Sequence, residues 1–99
     1  MVDQQECHVR CLIKGKVQGV GYRNWTQSTA LRLGLCGWVM YQADGSVCAV
    51  FTGTAKAVRK MIAACHHGPR GAVVTSLAEM PEQEQGEPLT GTGFKIREP

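Results

Sequence analysis

Polar and apolar residues alternate from His8 to Lys14, with Val9, Cys11 and Ile13 on one side and Arg10, Leu12 and Lys14 on the other. A period of two predicts a half-buried strand that runs into the glycines that follow. The period changes after that loop. Tyr22, Trp25, Thr29, Ala30 and Leu33 recur at helical spacing, predicting a helix from Tyr22 to Leu33 that Gly34 closes as a C-cap. Leu35 to Gln42 and Ser46 to Thr52 are short strand-like runs around Ala43-Asp44-Gly45, and Asp-Gly between such runs is a hairpin signal. Thr54 stands where it can cap a second helix reaching about His66, with Ala55, Val58, Met61, Ile62 and Cys65 on its apolar face and Gly68-Pro69 as its stop. Val73 to Met80 and Gly93 to Arg97 read as two further strands. Glu79, Glu82, Glu84 and Glu87 lie around a Pro- and Gly-containing stretch between them that reads as a solvated acidic loop.

The order strand, helix, strand, strand, helix, strand, with one extra short strand, is the split βαβ pattern. It predicts an α+β, ferredoxin-like (βαββαβ) sandwich in which two helices pack on one face of an antiparallel sheet. The loop after the first strand is then free to bind. Ninety-nine residues fit one domain, 1–99, with a single core.

Eleven Lys and Arg against eight Asp and Glu leave a net charge of +3, too little to argue a nucleic-acid partner from charge alone. The distribution is more telling. No acidic residue falls between Glu6 and Asp44, whereas Arg10, Lys14, Lys16, Arg23 and Arg32 do. The polar start of the chain supports neither a secretory signal nor a membrane span, so a cytoplasmic protein without a membrane partner is expected. Five cysteines without a C-x-x-C pair argue against a disulfide framework or a zinc ribbon, and most are expected to be buried. Cys65-His66-His67 lacks the i, i+3 or i, i+4 spacing of helical metal ligands, so no metal and no cofactor are expected. Trp25 and Trp38 are expected in the core.

Candidate chemistry concentrates in Gly15-Lys16-Val17-Gln18-Gly19-Val20-Gly21-Tyr22-Arg23, which leads from the first strand into the first helix. Freed backbone N–H groups, the positive end of a helix and a guanidinium converge there, a combination suited to phosphate oxygens. A tight turn needing glycine at positive φ is the plainer alternative. The first turn of the helix carries Asn24, Thr26 and Gln27 but no acid to neutralise its end. Other glycine motifs do not fit. No Gly-Lys-Ser/Thr completes a Walker loop, and Asn24 stands where a dinucleotide fingerprint needs its third glycine. The first strand has no aromatic residue and the third only Phe51, against an RNA-stacking platform. No cysteine has a neighbour in sequence that would activate it as a nucleophile.

Gly15-x-Val17-Gln18-Gly19-Val20-x-Tyr22-Arg23 resembles the acylphosphatase signature, which has Phe or Tyr before the arginine. The likeness extends through Gly37-Trp38-Val39, Asp44-Gly45-Ser46-Val47, Gly68-Pro69 and Phe94-Lys95-Ile96-Arg97. It implies the ferredoxin-like fold and hydrolysis of small acyl phosphates to carboxylate and inorganic phosphate. It also implies that Lys16, Val17, Gln18, Gly19, Val20, Gly21 and Arg23 hold the phosphoryl group, with Arg23 catalytic. In that family an asparagine after Gly-Trp-Val-x orients the attacking water. Tyr41 holds that position here, so the second candidate catalytic place is altered and reduced activity is expected. A non-catalytic module binding phosphate or an acyl phosphate is the alternative. A monomer is expected in either case.

Overall fold

The computed structural model describes residues 6–81 and 93–98. Strand β1 (Glu6–Lys16) leads through the glycine loop to helix α1 (Tyr22–Arg32), followed by β2 (Cys36–Tyr41), β3 (Val47–Thr54), α2 (Ala55–Cys65), β4 (Val73–Pro81) and β5 (Phe94–Ile96). The sheet order is β4-β1-β3-β2-β5. β1 lies antiparallel to both β3 and β4, β2 is antiparallel to β3, and β5 joins the far edge parallel to β2. The sheet is therefore mostly, not wholly, antiparallel. β1 outruns its alternating segment at both ends because two neighbours offer partners, Thr54 of β3 opposite Glu6 and Val73 of β4 opposite Lys16. Its register on β4 shifts between Lys14 and Gly15, just before the loop begins.

Helix α1 packs on β2 and β5, and α2 packs on β1 and β3. Between them and the sheet lie Cys11, Ile13, Val39, Val47, Ala49 and Phe51 from the strands, Tyr22 and Ala30 from α1, and Val58, Met61, Ile62 and Cys65 from α2. Each large side chain removed from water there contributes about 1.5–3 kcal/mol. Thr54 caps α2 as expected, its hydroxyl accepting from the Ala57 N–H at 3.1 Å.

The two tryptophans differ. Trp25 is half-buried and packs against the core, its ring 5.4 Å from that of Tyr22, while the inner face of α1 also includes the polar Thr26, made compatible by its hydroxyl donating to the Tyr22 carbonyl at 2.8 Å. Trp38 is not in the core. Strand alternation turns Gly37 and Val39 inward, and Trp38 lies with its ring between the guanidinium groups of Arg10 and Arg97, at 5.6 and 5.0 Å. Of the acidic loop, Glu79 is found in β4, while Glu82, Glu84 and Glu87 lie outside the described residues.

Candidate active site

Gly19 and Gly21 adopt φ of 72° and 75°, and a Cβ at either would touch no other part of the protein. Glycine is needed for the left-handed backbone rather than for room. Gly21 is the N-cap of α1 and supplies no side-chain cap. The first helical bond runs from the Trp25 N–H to the Gly21 carbonyl, and among the described residues the N–H groups from Gln18 through Asn24 meet no backbone acceptor. With no acid in the first turn of α1, these N–H groups and the helix end leave a patch of uncompensated positive potential.

Both ends of the loop are fixed. Val17 has a fully buried side chain, and its N–H donates to the Gly15 carbonyl at 3.1 Å. Tyr22, also fully buried, donates its hydroxyl to the Cys65 carbonyl at 2.6 Å, tying the start of α1 to the end of α2. Burial holds that phenol far above its ordinary ionisation range. The next residue, Arg23, is only part-buried. Its guanidinium lies 4.4 Å from the centre of the Tyr41 ring, and one of its nitrogens is 3.7 Å from a carboxylate oxygen of the exposed Glu98. The Tyr41 hydroxyl donates to the Val17 carbonyl at 2.8 Å.

The fold thus brings Val17, Arg23 and Tyr41 together with the amides of Gln18, Gly19, Val20 and Gly21. Val17 differs from the other loop residues in presenting its carbonyl, since its N–H is already turned inward. Lys16, at the end of β1, joins Lys14, Gln18, Asp44 and Ser46 around a cleft of about 380 Å³ between the loop and the β2–β3 turn. Asp44 accepts from the Ser46 N–H at 2.9 Å and from its hydroxyl at 2.6 Å, which holds the carboxyl below its usual range. Nothing in the local pattern around Glu98 points to Arg23; only the path of the last strand brings the two together.

Cys11 and Cys65 are buried thiols, not activated nucleophiles. Burial pushes the Cys11 and Cys65 thiols up to about 12. Among the described residues no three His, Cys, Asp or Glu side chains gather as a metal site would require, and no helix is long and apolar enough to cross a membrane.

Comparison with known proteins places this geometry. A family model described as Acylphosphatase matches residues 9–96. A relative from Nitrobacter hamburgensis named acylphosphatase is 45% identical over 85 residues, covering 86% of each chain. Another of that name, from Rhizobium etli, is 44% identical over 92% of this chain and 100% of its own. Among solved structures, an acylphosphatase from Coxiella burnetii superposes with a TM-score of 0.84 at 26% identity, covering 93% of both chains.

Proposed function

Because the chain belongs to the acylphosphatase family and hydrolyses acyl phosphates to carboxylate and phosphate, we propose that the amides of Gln18 to Gly21, with Lys16 at the edge of the loop, and Arg23 hold the phosphoryl group during that reaction, while Val17, whose N–H is bonded to Gly15, anchors the loop. The observation that carries this reading is the run of N–H groups from Gln18 through Asn24 that meet no backbone acceptor among the described residues, in the loop whose Val17 carbonyl is bonded to the Tyr41 side chain that carries the Arg23 guanidinium on its ring. Phosphoryl oxygens satisfy those donors. As the bond to the leaving carboxylate stretches, negative charge is met by fixed dipoles and a cation that need no rearrangement. The leaving group is the anion of an acid with a pKa of about 4, so it departs without a general acid. Neither a metal nor a cofactor is required by this chemistry. The cleft beside Lys14, Lys16 and Ser46 offers volume for the acyl group.

Water activation is the weaker half of the site. Tyr41 has no carboxamide, and its hydroxyl proton is given to the Val17 carbonyl rather than to a water. Turnover is therefore slower than an asparagine at this position would allow. The chain works as a single-domain, cytoplasmic monomer on small acyl phosphates, releasing inorganic phosphate, without a nucleic-acid or membrane partner.

Phosphate release from benzoyl phosphate tests the reading. Arg23→Ala should abolish it, and retained turnover would move the site elsewhere. If the unaltered chain gives no turnover while inorganic phosphate still shifts the amide resonances of Gly19 and Gly21, the site binds without hydrolysing.

A further inference from the structure

We infer that Tyr41 is a positioning residue that clamps the Arg23 guanidinium against the start of the phosphate loop. This rests on the reading of Arg23 as the cation that meets phosphate. Two contacts made by one side chain carry the inference. The ring lies 4.4 Å from the Arg23 guanidinium carbon, and the hydroxyl at its far end donates to the Val17 carbonyl at 2.8 Å.

The two contacts do different things. An aromatic face attracts a guanidinium through the ring quadrupole without accepting a hydrogen bond from it as a carboxylate does, which leaves N–H groups to meet phosphate oxygens. A carboxylate partner engages those same N–H groups and competes with phosphate. Glu98 is such a partner, but it is exposed and 3.7 Å away.

The hydroxyl contact fixes the orientation of the ring. Its acceptor belongs to Val17, whose side chain is fully buried and whose N–H is already bonded to Gly15, so the carbonyl is a rigid point. Tyr41 itself stands on β2, in register with Val47 of β3, so its backbone is held by the sheet. Placement runs from the core to Val17, from Val17 to the Tyr41 hydroxyl, and from the ring to Arg23. A long side chain with several free torsions is thereby ordered before phosphate arrives, and its ordering cost does not fall on binding.

An asparagine cannot do this, because it has no face for the guanidinium. The chain thus has a residue that organises the cation where its relatives' signature has one that organises water. The consequence is a split between binding and turnover, with Tyr41 favouring phosphate affinity over the rate of the chemical step.

The test is a double-mutant cycle on the full chain. Inorganic phosphate is titrated into the unaltered protein, Tyr41→Phe and Tyr41→Leu, each with Arg23 and with Arg23→Ala, following the amide resonances of Gly19 and Gly21. kcat and KM on benzoyl phosphate are measured in parallel. With Arg23 present, Tyr41→Leu should weaken phosphate binding and raise KM about tenfold, and Tyr41→Phe, which keeps the ring but not its tether, about threefold. With Arg23→Ala in place, Tyr41→Leu should change phosphate affinity by less than about twofold. Equal losses with and without Arg23, or no loss with Arg23 present, would overturn the clamp, since a residue that merely fills space acts regardless of the cation. Should Tyr41→Leu fail to fold, the Tyr41→Phe cycle decides alone by the same criterion. If Arg23→Ala by itself leaves phosphate affinity unchanged, the reading of the site falls and the clamp falls with it.

Discussion

The two walls of the candidate site are made of different material. On the loop side the donors are main-chain N–H groups, set in place by positive φ at Gly19 and Gly21 and by the buried anchors Val17 and Tyr22. On the strand side the ring contact to Arg23 and the hydrogen bond to the loop come from one side chain, Tyr41. A backbone wall keeps its chemistry under most side-chain changes, provided the glycines remain. A one-residue wall changes its chemistry with one substitution. On the proposed function, phosphate binding is then the property this architecture protects, and the attack of water the one it leaves adjustable. Arg23, which projects from the loop wall onto the strand wall, belongs to both. Its removal should give the largest effect: Arg23→Ala is expected to lower kcat/KM on benzoyl phosphate by about 10³-fold or more. A loss under about tenfold would mean that Arg23 is not the cation of the reaction and that the site lies elsewhere.

Tyr41→Asn separates the walls directly. It restores a carboxamide beside the attacking water and deletes the ring beneath Arg23, so kcat should rise by about 10²-fold while KM also rises. Steady-state kinetics on one acyl phosphate reads both. A kcat that stays flat would place water orientation elsewhere in the site, and a KM that stays flat would argue against the ring as a support for the cation.

The difference between the walls also explains how much of the site is legible in the sequence. Glycine spacing, an acid-free first turn and an arginine at the helix start are properties of contiguous residues, and they locate the loop wall because its geometry is local. The elements followed in the same way from their periods, including the Thr54 cap and the Asp44-Gly45 turn. The position of Tyr41 in the site was legible only through the family resemblance. Its two contacts were not, because Val17 and Tyr41 are twenty-four residues apart and meet only when β1 and β2 flank β3. Glu98 was invisible for the same reason. Trp38 was misplaced because hydrophobicity says that a ring seeks cover without saying that two arginines will provide it on the face opposite the core.

The bond between Tyr22 and the Cys65 carbonyl ties the loop wall to α2, and the buried thiol of the same Cys65 makes folding sensitive to alkaline pH. Burial pushes the Cys65 thiol up to about 12 from its ordinary value of 9.0. The folded value is the higher, so the associated stability is complete below pH 9 and is lost as pH rises toward 12, where only the unfolded chain ionises. The slope is about 1.4 kcal/mol per pH unit for each such thiol. Cys11, pushed up to about 12 in the same core, adds a second. Denaturant unfolding between pH 9 and 11 should show this decline, and Cys65→Ala should make it shallower by one thiol's share. An unchanged slope would mean that the Cys65 thiol ionises as readily in the folded chain as in the unfolded one, and that its burial does not oppose ionisation.

The smallest effect is expected at Glu98. Its carboxylate lies 3.7 Å from the guanidinium of Arg23, and its side chain is 83% exposed, so the pair is weak, screened by salt and made through the same N–H groups that phosphate needs. Glu98→Gln should tighten inorganic phosphate binding by about twofold at low ionic strength and by less as salt is added. Isothermal titration at two salt concentrations checks both the size and the trend. Because the carboxylate acts on the donors and Tyr41 acts on the face of the same guanidinium, Glu98→Gln should leave the effect of Tyr41→Phe on phosphate affinity unchanged. A dependence of one on the other would show that Arg23 is not held in one orientation, but moves between its ring and its carboxylate.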